Sequence, residues 1–238
     1  MRTLCIGDIH GGYKALIQCL ERSKFDYNED RLICLGDVAD GWSEVARCFD
    51  KLLEIPNLIY ILGNHDHWLL QWFKFGEAPS IWTRQGGSAS IASYAGTEDM
   101  SKHETLLNKA NYYWVDEQNR LYVHGGLDWH NSINKQNPSD IIWDRHLFQV
   151  ATMWEQYNKR EVPGKELRIV KDYLEVFIGH TATEYYDRTL KPVHVSNIWN
   201  LDQGAGWNGK LSIMDVDTKE FWQSDIVSEL YPNELSRK

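Results

Sequence analysis

Short motifs with metal-binding side chains follow apolar runs of the sequence. Three of them, near the N-terminus, are Gly7-Asp8-Ile9-His10-Gly11, Gly36-Asp37-Val38-Ala39-Asp40-Gly41 and Gly63-Asn64-His65-Asp66. Two more, later in the chain, are His124-Gly125-Gly126 and Gly179-His180-Thr181. Each motif places carboxylate, amide or imidazole groups directly after a short apolar segment, and these groups are ligands of divalent cations. The pattern indicates metal chemistry at the ends of several strands.

The candidate ligands form a mixed oxygen and nitrogen set without a thiolate. They are Asp8, His10, Asp37, Asn64, His124 and His180. Such a set suits manganese, iron, zinc or a similar ion better than a structural cysteine-type zinc site. Six groups are too many for one ion with an open position, but they suit two ions that share a bridging carboxylate. Two ions roughly 3.5–4 Å apart lower the pKa of a bridging water towards about 7 and clamp both oxygens of an in-line phosphoryl displacement.

Each motif also has a purely structural explanation. Gly7-Asp8-Ile9-His10-Gly11 alone can be a tight turn with a helix cap. A single histidine at a strand end, such as His124 or His180, is more often structural than ligating. The combination favours the metal site, because so many polar groups in one crevice would lack partners unless something bound there.

The apolar periodicity predicts the elements that bring these motifs together. The predicted elements are strands at residues 3–6, 32–35, 58–62, 121–123 and 176–178, helices at 13–22 and 44–54, and alternating antiparallel strands at 193–201 and 210–216. Asp66 is predicted to cap a further helix from His67 to about Phe75. The strand–helix alternation at the start calls for a parallel sheet with right-handed crossovers. Ligands of such sheets bind beyond the carboxyl ends of the strands, where the motifs lie.

Length, charge and composition limit the number of domains and the classes of binding partner. The 238 residues suit one domain, spanning residues 1–238. The net charge of -9 argues against sequence-independent binding to a nucleic-acid backbone, but a small anionic substrate held by metal ions is compatible with it. No apolar stretch approaches the roughly 20 residues that span a bilayer, so no membrane association and a cytoplasmic location are expected. The four cysteines form no C-x-x-C pair and are expected to be small buried hydrophobic residues.

Taken together, the motif set resembles the calcineurin-like metallophosphoesterase superfamily. Within it, the order and spacing are similar to the phosphoprotein phosphatase branch, especially phage and bacterial Ser/Thr protein phosphatases and symmetrical diadenosine tetraphosphate hydrolases. The resemblance spans Thr3 to about Asp215. Secondary motifs of the same bacterial subgroup are Gln85-Gly86-Gly87 with Ser93-Tyr94, Trp143-Asp144-Arg145 and Asp202-Gln203-Gly204-Ala205.

The resemblance implies a fold and a distribution of roles. The fold is an α/β class β-sandwich of mixed sheets flanked by helices, layered α/β/β/α in a single domain. Asp8, His10 and Asp37 would hold one metal, and Asp37 would bridge to a second metal completed by Asn64, His124 and His180. His65 matches the general acid, Asp40 the carboxylate that orients it, and Arg145 and Asn64 the groups that bind the substrate phosphate.

The implied activity is hydrolysis of phosphomonoesters by metal-activated water, as in Ser/Thr protein phosphatases. The implied cofactors are two divalent ions, with manganese as the first choice and iron, zinc, cobalt or nickel as alternatives. The substrate would be a phosphoprotein. Two other hypotheses are a hydrolase of dinucleoside polyphosphates or other nucleotides, and a non-catalytic metal-binding module.

One position departs from the family pattern. The second motif usually reads Gly-Asp-x-x-Asp-Arg-Gly, with the arginine on the phosphate, whereas this chain has Asp40-Gly41-Trp42. We expect the metals, Asn64 and Arg145 to hold the phosphate instead, and Trp42 to offer an apolar or stacking wall. Four other tryptophans near the motifs are candidates for nucleotide stacking, although most aromatic residues are expected in the core. They are Trp68, Trp72, Trp82 and Trp143.

Overall fold

The computed structural model describes residues 1–97, 99–161 and 168–234. The strands in these ranges are β1 Thr3–Ile6, β2 Arg31–Cys34, β3 Leu58–Tyr60, β4 Tyr113–Val115, β5 Leu121–Val123, β6 Val176–Ile178, β7 Val193–Val195, β8 Ile198–Asn200, β9 Asp202–Gln203, β10 Lys210–Asp215 and β11 Phe221–Gln223. The helices are α1 Tyr13–Arg22, α2 Val45–Leu53, α3 Asn64–Phe75, α4 Ser80–Trp82, α5 Ser88–Ser93, α6 Ser101–Asn108, α7 Pro138–Trp143, α8 His146–Glu161 and α9 Val227–Leu230. Within the same ranges no helix is long and apolar enough to cross a membrane.

The first sheet carries the three N-terminal motifs. Its strands follow the order β11-β10-β1-β2-β3, and β9 pairs with β10. β1, β2 and β3 are parallel, whereas β10 runs antiparallel to both β1 and β11. The predicted parallel sheet is therefore confirmed, and antiparallel strands extend it at one edge. Because β1, β2 and β3 point the same way, the motifs that follow them leave the sheet at one end.

The second sheet supplies the two later motifs. Its order is β4-β5-β6-β8-β7, with β5, β6 and β8 parallel and β4 and β7 antiparallel at the edges. Residues 193–201, predicted as one antiparallel strand, form the two strands β7 and β8. The turn between them places Ser196 in the left-handed region with φ 57°. The later strand of this hairpin then pairs with β6 in the parallel direction.

Alternation along the strands assigns side chains to the two faces of each sheet. In β1, Leu4 and Ile6 pack with the helices α1 and α2, whereas Cys5 packs between the sheets. In β6, Phe177 packs between the sheets and its neighbours pack towards α8. The two mixed sheets thus meet face to face with helices outside, which confirms the predicted α/β/β/α sandwich. The four cysteines lie buried in these layers without disulfide bonds.

Helix α3 begins earlier than the sequence pattern predicts. It starts at Asn64 rather than His67, with Gly63 as the N-cap, so that Asn64, His65 and Asp66 all lie in its first turn. Asp66 is not the N-cap, but its carboxylate accepts the backbone N–H of Gly63 at 3.1 Å. The early start fixes the backbone of Asn64 and His65, two candidate site residues, in helical geometry.

Packing between the sheets should dominate stability. Phe177 is fully buried and stacks on Tyr122, with ring centroids 5.0 Å apart. Replacing Phe177 by Ala should lower the free energy of unfolding by about 3–5 kcal/mol, because a large cavity would open between the sheets. The matched control is Phe75→Ala at the 67% exposed end of α3, which should change stability by less than about 0.5 kcal/mol. Urea denaturation of both variants checks this, and equal losses would contradict it.

Candidate active site

The six candidate ligands meet where the carboxyl ends of the two sheets come together. Asp8 and His10 follow β1, Asp37 follows β2, and Asn64 begins α3 just beyond β3. His124 follows β5 and His180 follows β6. Each of the six is at most 3% exposed. The structure therefore gathers all six predicted side chains in one buried crevice that both sheets build.

Asp8, His10 and Asp37 form the first group of possible metal ligands. One ligand atom from each lies within 4.8 Å of the others. The Nδ1 of His10 is 3.0 Å from the carbonyl of Ala39, which fixes Nδ1 as the donor and Nε2 as the lone pair. Nε2 then lies 3.8 Å from Asp37 and 4.0 Å from Asp8. Three electron-pair donors converge on one point, as ligands of a cation do.

Asp37, His124 and His180 form the second group, which shares Asp37 with the first. The Nδ1 of His124 donates to the carbonyl of Leu35 at 2.8 Å, and its Nε2 lies 3.0 Å from Oδ1 of Asn64 and 3.3 Å from Asp37. The Nε2 of His180 is buried and has no hydrogen-bond partner within the described ranges. A divalent cation would satisfy this buried nitrogen and the converging oxygens, so the residues fit two ions that share Asp37.

Burial and neighbouring charges shift the ionisation of these groups. Burial, reinforced by the charge of Asp202, raises the pKa of Asp8 well above its usual value. Burial also acts on Asp37, but His124 and the other imidazoles outweigh it and hold the pKa of Asp37 well below its usual range. The same pairing overcomes burial and raises the pKa of His124 to about 9. Burial and the charge of His124 depress the pKa of His180. The crevice thus favours positive charge beside Asp37, as a metal site must.

Two glycines that precede candidate ligands are required by close packing against other candidate ligands. A Cβ added to Gly63 would lie 2.2 Å from Oδ1 of Asp37, and one added to Gly179 would lie 2.0 Å from Oδ1 of Asp8. No side chain fits at either position without displacing a carboxylate. The glycines of the sequence motifs therefore let neighbouring strand ends approach closely enough for their ligands to meet.

His65 is paired with Asp40 beside the ligand cluster. The Nδ1 of His65 lies 2.5 Å from Oδ2 of Asp40, and both side chains are buried. The backbone N–H of His65 donates to Asp37 at 2.9 Å. The structure thus places the predicted general acid and its predicted orienting carboxylate in direct contact, next to the shared ligand. Since Nδ1 faces the carboxylate, Nε2 is the ring atom that can exchange a proton with a substrate.

Three further side chains support this pair and its loop: Ser90, which no sequence pattern singled out, Trp82, which was a stacking candidate, and Asp66, which was predicted as a helix cap. Ser90 donates to Asp40 at 2.6 Å, and the indole of Trp82 donates to the same carboxylate at 2.8 Å. Trp82 is fully buried, so it is a scaffold residue rather than a nucleotide-stacking surface. Asp66 accepts the backbone N–H groups of Val38 and Ala39 at 2.9 and 3.0 Å, which fixes the second motif against α3. The Gln85-Gly86-Gly87 motif was an indirect sign of the position of Trp82, because a Cβ on Gly87 would lie 2.5 Å from the Trp82 ring.

Most of the chain matches one protein family. The calcineurin-like phosphoesterase family matches residues 1–199. The chain belongs to the calcineurin-like phosphoesterase family. Membership makes it a metal-dependent phosphoester hydrolase that acts on a phosphorylated substrate. A search among curated proteins found no match to the sequence.

Solved structures similar to this calcineurin-like phosphoesterase share its fold. A diadenosine tetraphosphatase-like protein has a TM-score of 0.69 and 19% identity, covering 93% of this chain and 92% of its own. A metallophosphoesterase from Sphaerobacter thermophilus has a TM-score of 0.56 and 14% identity, covering 98% and 95%. A protein serine/threonine phosphatase from Saccharomyces cerevisiae has a TM-score of 0.57 and 12% identity, covering 95% and 79%. At these identities the likeness concerns the fold alone.

Trp42 does not play the part expected from the departure in this family motif. It is fully buried, its indole donates to the carbonyl of Ala205 at 2.7 Å, and it stacks on Tyr231 at 5.1 Å. The expectation that Trp42 lines the site is therefore wrong, because the ring turns into the core of the first sheet. Gly41, where the family has arginine, leaves the loop free of a charged side chain there.

Arg145 and two of the flagged tryptophans lie beside the crevice of this calcineurin-like phosphoesterase. Arg145 is exposed and donates to the backbone carbonyl of His180 at 2.6 Å. Trp68 contacts the ring of His65, and Trp143 contacts the ring of His180. Trp207, which no sequence pattern singled out, lies edge-on to His10 at 6.1 Å. Trp72 packs instead with Trp82 in the first core cluster.

Close packing at Gly63 gives a test of the metal site. Gly63→Ala should weaken Mn²⁺ binding roughly 10–100-fold, because its methyl group would displace the Asp37 carboxylate. Gly76→Ala is the matched control, since nothing lies within 4 Å of the added Cβ. Its φ of 70° should cost about 1–2 kcal/mol of stability without affecting metal affinity. Isothermal titration calorimetry measures both, and unchanged affinity in Gly63→Ala would contradict the assignment.

Proposed function

We propose that the chain is a phosphomonoesterase with two divalent metal ions. Asp8, His10 and Asp37 would hold the first ion, and Asp37 with three further ligands would hold the second. These three are Asn64, His124 and His180. The observation that carries the proposal is the buried contact between His65 and Asp40, 2.5 Å long, directly beside this donor cluster. Manganese is the first choice among the ions that suit carboxylate, amide and imidazole ligands. When bound, the ions would act as Lewis acids and activate water at neutral pH.

The side chains of the site have separate tasks in this reaction. His65 protonates the leaving oxygen from Nε2, while Asp40 keeps Nδ1 protonated and the ring in place. Asn64 turns its Oδ1 towards His124, which leaves its amide nitrogen available to the phosphate. Arg145 uses one N–H on the carbonyl of His180 and keeps further donors for the phosphate oxygens. Arg145 thus retains one of the arginines that the family pattern places on the phosphate, whereas Gly41 stands where another would be.

A phosphoprotein is the favoured substrate class. A dinucleoside polyphosphate carries negative charges beyond the phosphoryl group that the metal ions would hold, and cationic side chains are the groups that bind such additional phosphates. In the described part of the chain, Arg145 forms a hydrogen bond to the site residue His180. The whole chain has a net charge of -9. This favours a single phosphoryl group over a polyphosphate. Diadenosine tetraphosphate remains the second candidate, supported by the fold of a diadenosine tetraphosphatase-like protein.

A non-catalytic metal-binding module is disfavoured by the same acid–carboxylate pair. A module that only binds metal has no use for His65 held by Asp40, with Ser90 and Trp82 on that carboxylate. Adding Mn²⁺ to metal-stripped protein should restore hydrolysis of phenyl phosphate. Absence of any turnover with bound Mn²⁺ would favour the binding module.

Substituting the proton donor tests the mechanism. His65→Gln should lower kcat for phenyl phosphate about 10²–10⁴-fold, because the leaving oxygen would depart without a proton. The loss should be smaller for p-nitrophenyl phosphate, whose leaving group is a weaker base. His67→Gln is the matched control on the same helix and should keep wild-type kcat. Equal losses on both substrates would contradict the role of His65 as general acid.

A comparison of kcat/KM for a phosphopeptide and for diadenosine tetraphosphate tests which substrate class is preferred. With Mn²⁺ present, kcat/KM for a phosphopeptide should exceed that for diadenosine tetraphosphate. Arg145→Ala should reduce kcat/KM for the phosphopeptide by roughly tenfold or more, since a charged hydrogen bond to phosphate is lost. A rate on diadenosine tetraphosphate higher by orders of magnitude would reverse the ranking.

A further inference from the structure

Two tryptophans connect the histidines on opposite sides of the crevice. The ring of Trp68 meets His65 edge-on with centroids 5.1 Å apart, and it meets Trp143 edge-on at 4.9 Å. Trp143 in turn meets His180 edge-on at 6.0 Å. The path from His65 to His180 is therefore aromatic throughout, and it joins α3 of one half of the sandwich to α7 of the other.

Trp68 is tied to the proton donor by helix geometry. It follows His65 by three residues on α3, which places both side chains on the same face of the helix. Trp68 is half-buried and packs against the core cluster of the first sheet. Its ring is therefore held at a fixed position relative to His65.

Trp143 is held firmly by its backbone but leaves its ring accessible. It is the last residue of α7, and this helix end packs on the glycines that follow His124. A Cβ on Gly125 would lie 2.8 Å from the carbonyl of Ile141 and 2.7 Å from that of Asp144, so the two backbone segments are in direct contact there. The Trp143 side chain nevertheless remains 40% exposed. A large aromatic surface thus stays open to solvent beside the site.

The position of these rings decides what they can contact. If His65 protonates the leaving oxygen, as proposed above, the alcohol attached to that oxygen must lie within reach of His65. The phosphoryl group itself belongs with the metal ligands and Arg145. The rings of His10 and Trp68 both contact His65, and Trp143 lies beyond Trp68. Since His10 is a candidate metal ligand and belongs with the phosphoryl group, the alcohol lies against Trp68 and Trp143. Indole rings favour planar aromatic partners over saturated groups of equal size, because ring quadrupoles attract in offset or edge-on contact.

We propose that Trp68 and Trp143 form a subsite for the leaving group, selective for phosphomonoesters whose alcohol carries a planar aromatic ring. Among phosphoproteins, this selects phosphotyrosine over phosphoserine. The inference rests on the proposed proton-donor role of His65 and adds a substrate preference to it.

The test compares benzyl phosphate with cyclohexylmethyl phosphate on the Mn²⁺-loaded enzyme. Both are esters of primary alcohols of similar size, and only one has a planar ring. The wild type should favour benzyl phosphate roughly tenfold in kcat/KM. Trp143→Leu, which keeps an apolar side chain without a ring, should abolish that preference by lowering kcat/KM for benzyl phosphate. Trp143→Phe, which restores a ring, should recover most of it.

Matched controls separate this subsite from the proposed function. Trp154→Ala removes another exposed tryptophan, on α8 more than two turns beyond its start, and should leave both rates unchanged. No preference in the wild type, or equal effects of Trp143→Leu on the two esters, would overturn the subsite. His65→Gln tests the proposed function: a loss of turnover for both esters supports the proton-donor role of His65 even if the subsite is overturned. Unchanged turnover of both esters in His65→Gln would overturn the proton-donor role and the subsite that depends on it.

Discussion

The burial of Asp8 and Asp37 at the meeting edge of two sheets is the constraint on which the rest of the structure depends. An isolated carboxylate buried in protein costs several kcal/mol unless it is paired and hydrogen-bonded. Backbone N–H groups provide part of the compensation, from His180 to Asp8 at 3.0 Å and from His65 to Asp37 at 2.9 Å. Imidazoles surround the same oxygens, and bound cations would complete the balance. The six candidate ligands converge from five strand ends, so the two sheets have to pack at a fixed distance and angle.

Convergence of this kind demands backbone that ordinary residues avoid. Four residues of the site have φ in the left-handed region, at 48° for His10, 50° for Asp37, 71° for Asp40 and 63° for His180. Such conformations cost on the order of 1–3 kcal/mol each and persist only where the surroundings determine them. Asp66 shows how this is achieved, because one carboxylate accepts hydrogen bonds from three backbone N–H groups and the Tyr60 hydroxyl. At the site the strained residues lie in the loops that carry the candidate functional side chains, and buried hydrogen bonds around them offset the strain.

The sequence predicted those features of the site that are encoded next to one another in the chain. A strand, a glycine and a ligand are local neighbours, so the strand ends and their side chains could be predicted from short motifs. Trp42 could not be placed, because its burial depends on Ala205 and Tyr231, both more than 160 positions away. Ser90 was missed for the same reason, since its contact with Asp40 spans 50 positions. The start of α3 was predicted too late because Gly63, not a polar side chain, is its N-cap.

The departure at Gly41 has a consequence for how the two halves of the sandwich cooperate. In the proposed assignment, the proton donor His65 belongs to the first sheet, whereas the phosphate-binding Arg145 follows α7 and bonds to His180 of the second. Because position 41 is glycine, the second motif, which follows β2 of the first sheet, has no phosphate-binding arginine. The distance between His65 and Arg145 is then set by packing between the sheets, where Phe177 and Tyr122 stack. In this assignment phosphate orientation and protonation are coupled through the inter-sheet core, whereas an arginine beside Asp40 would have placed a phosphate-binding group on the first sheet, which also carries His65.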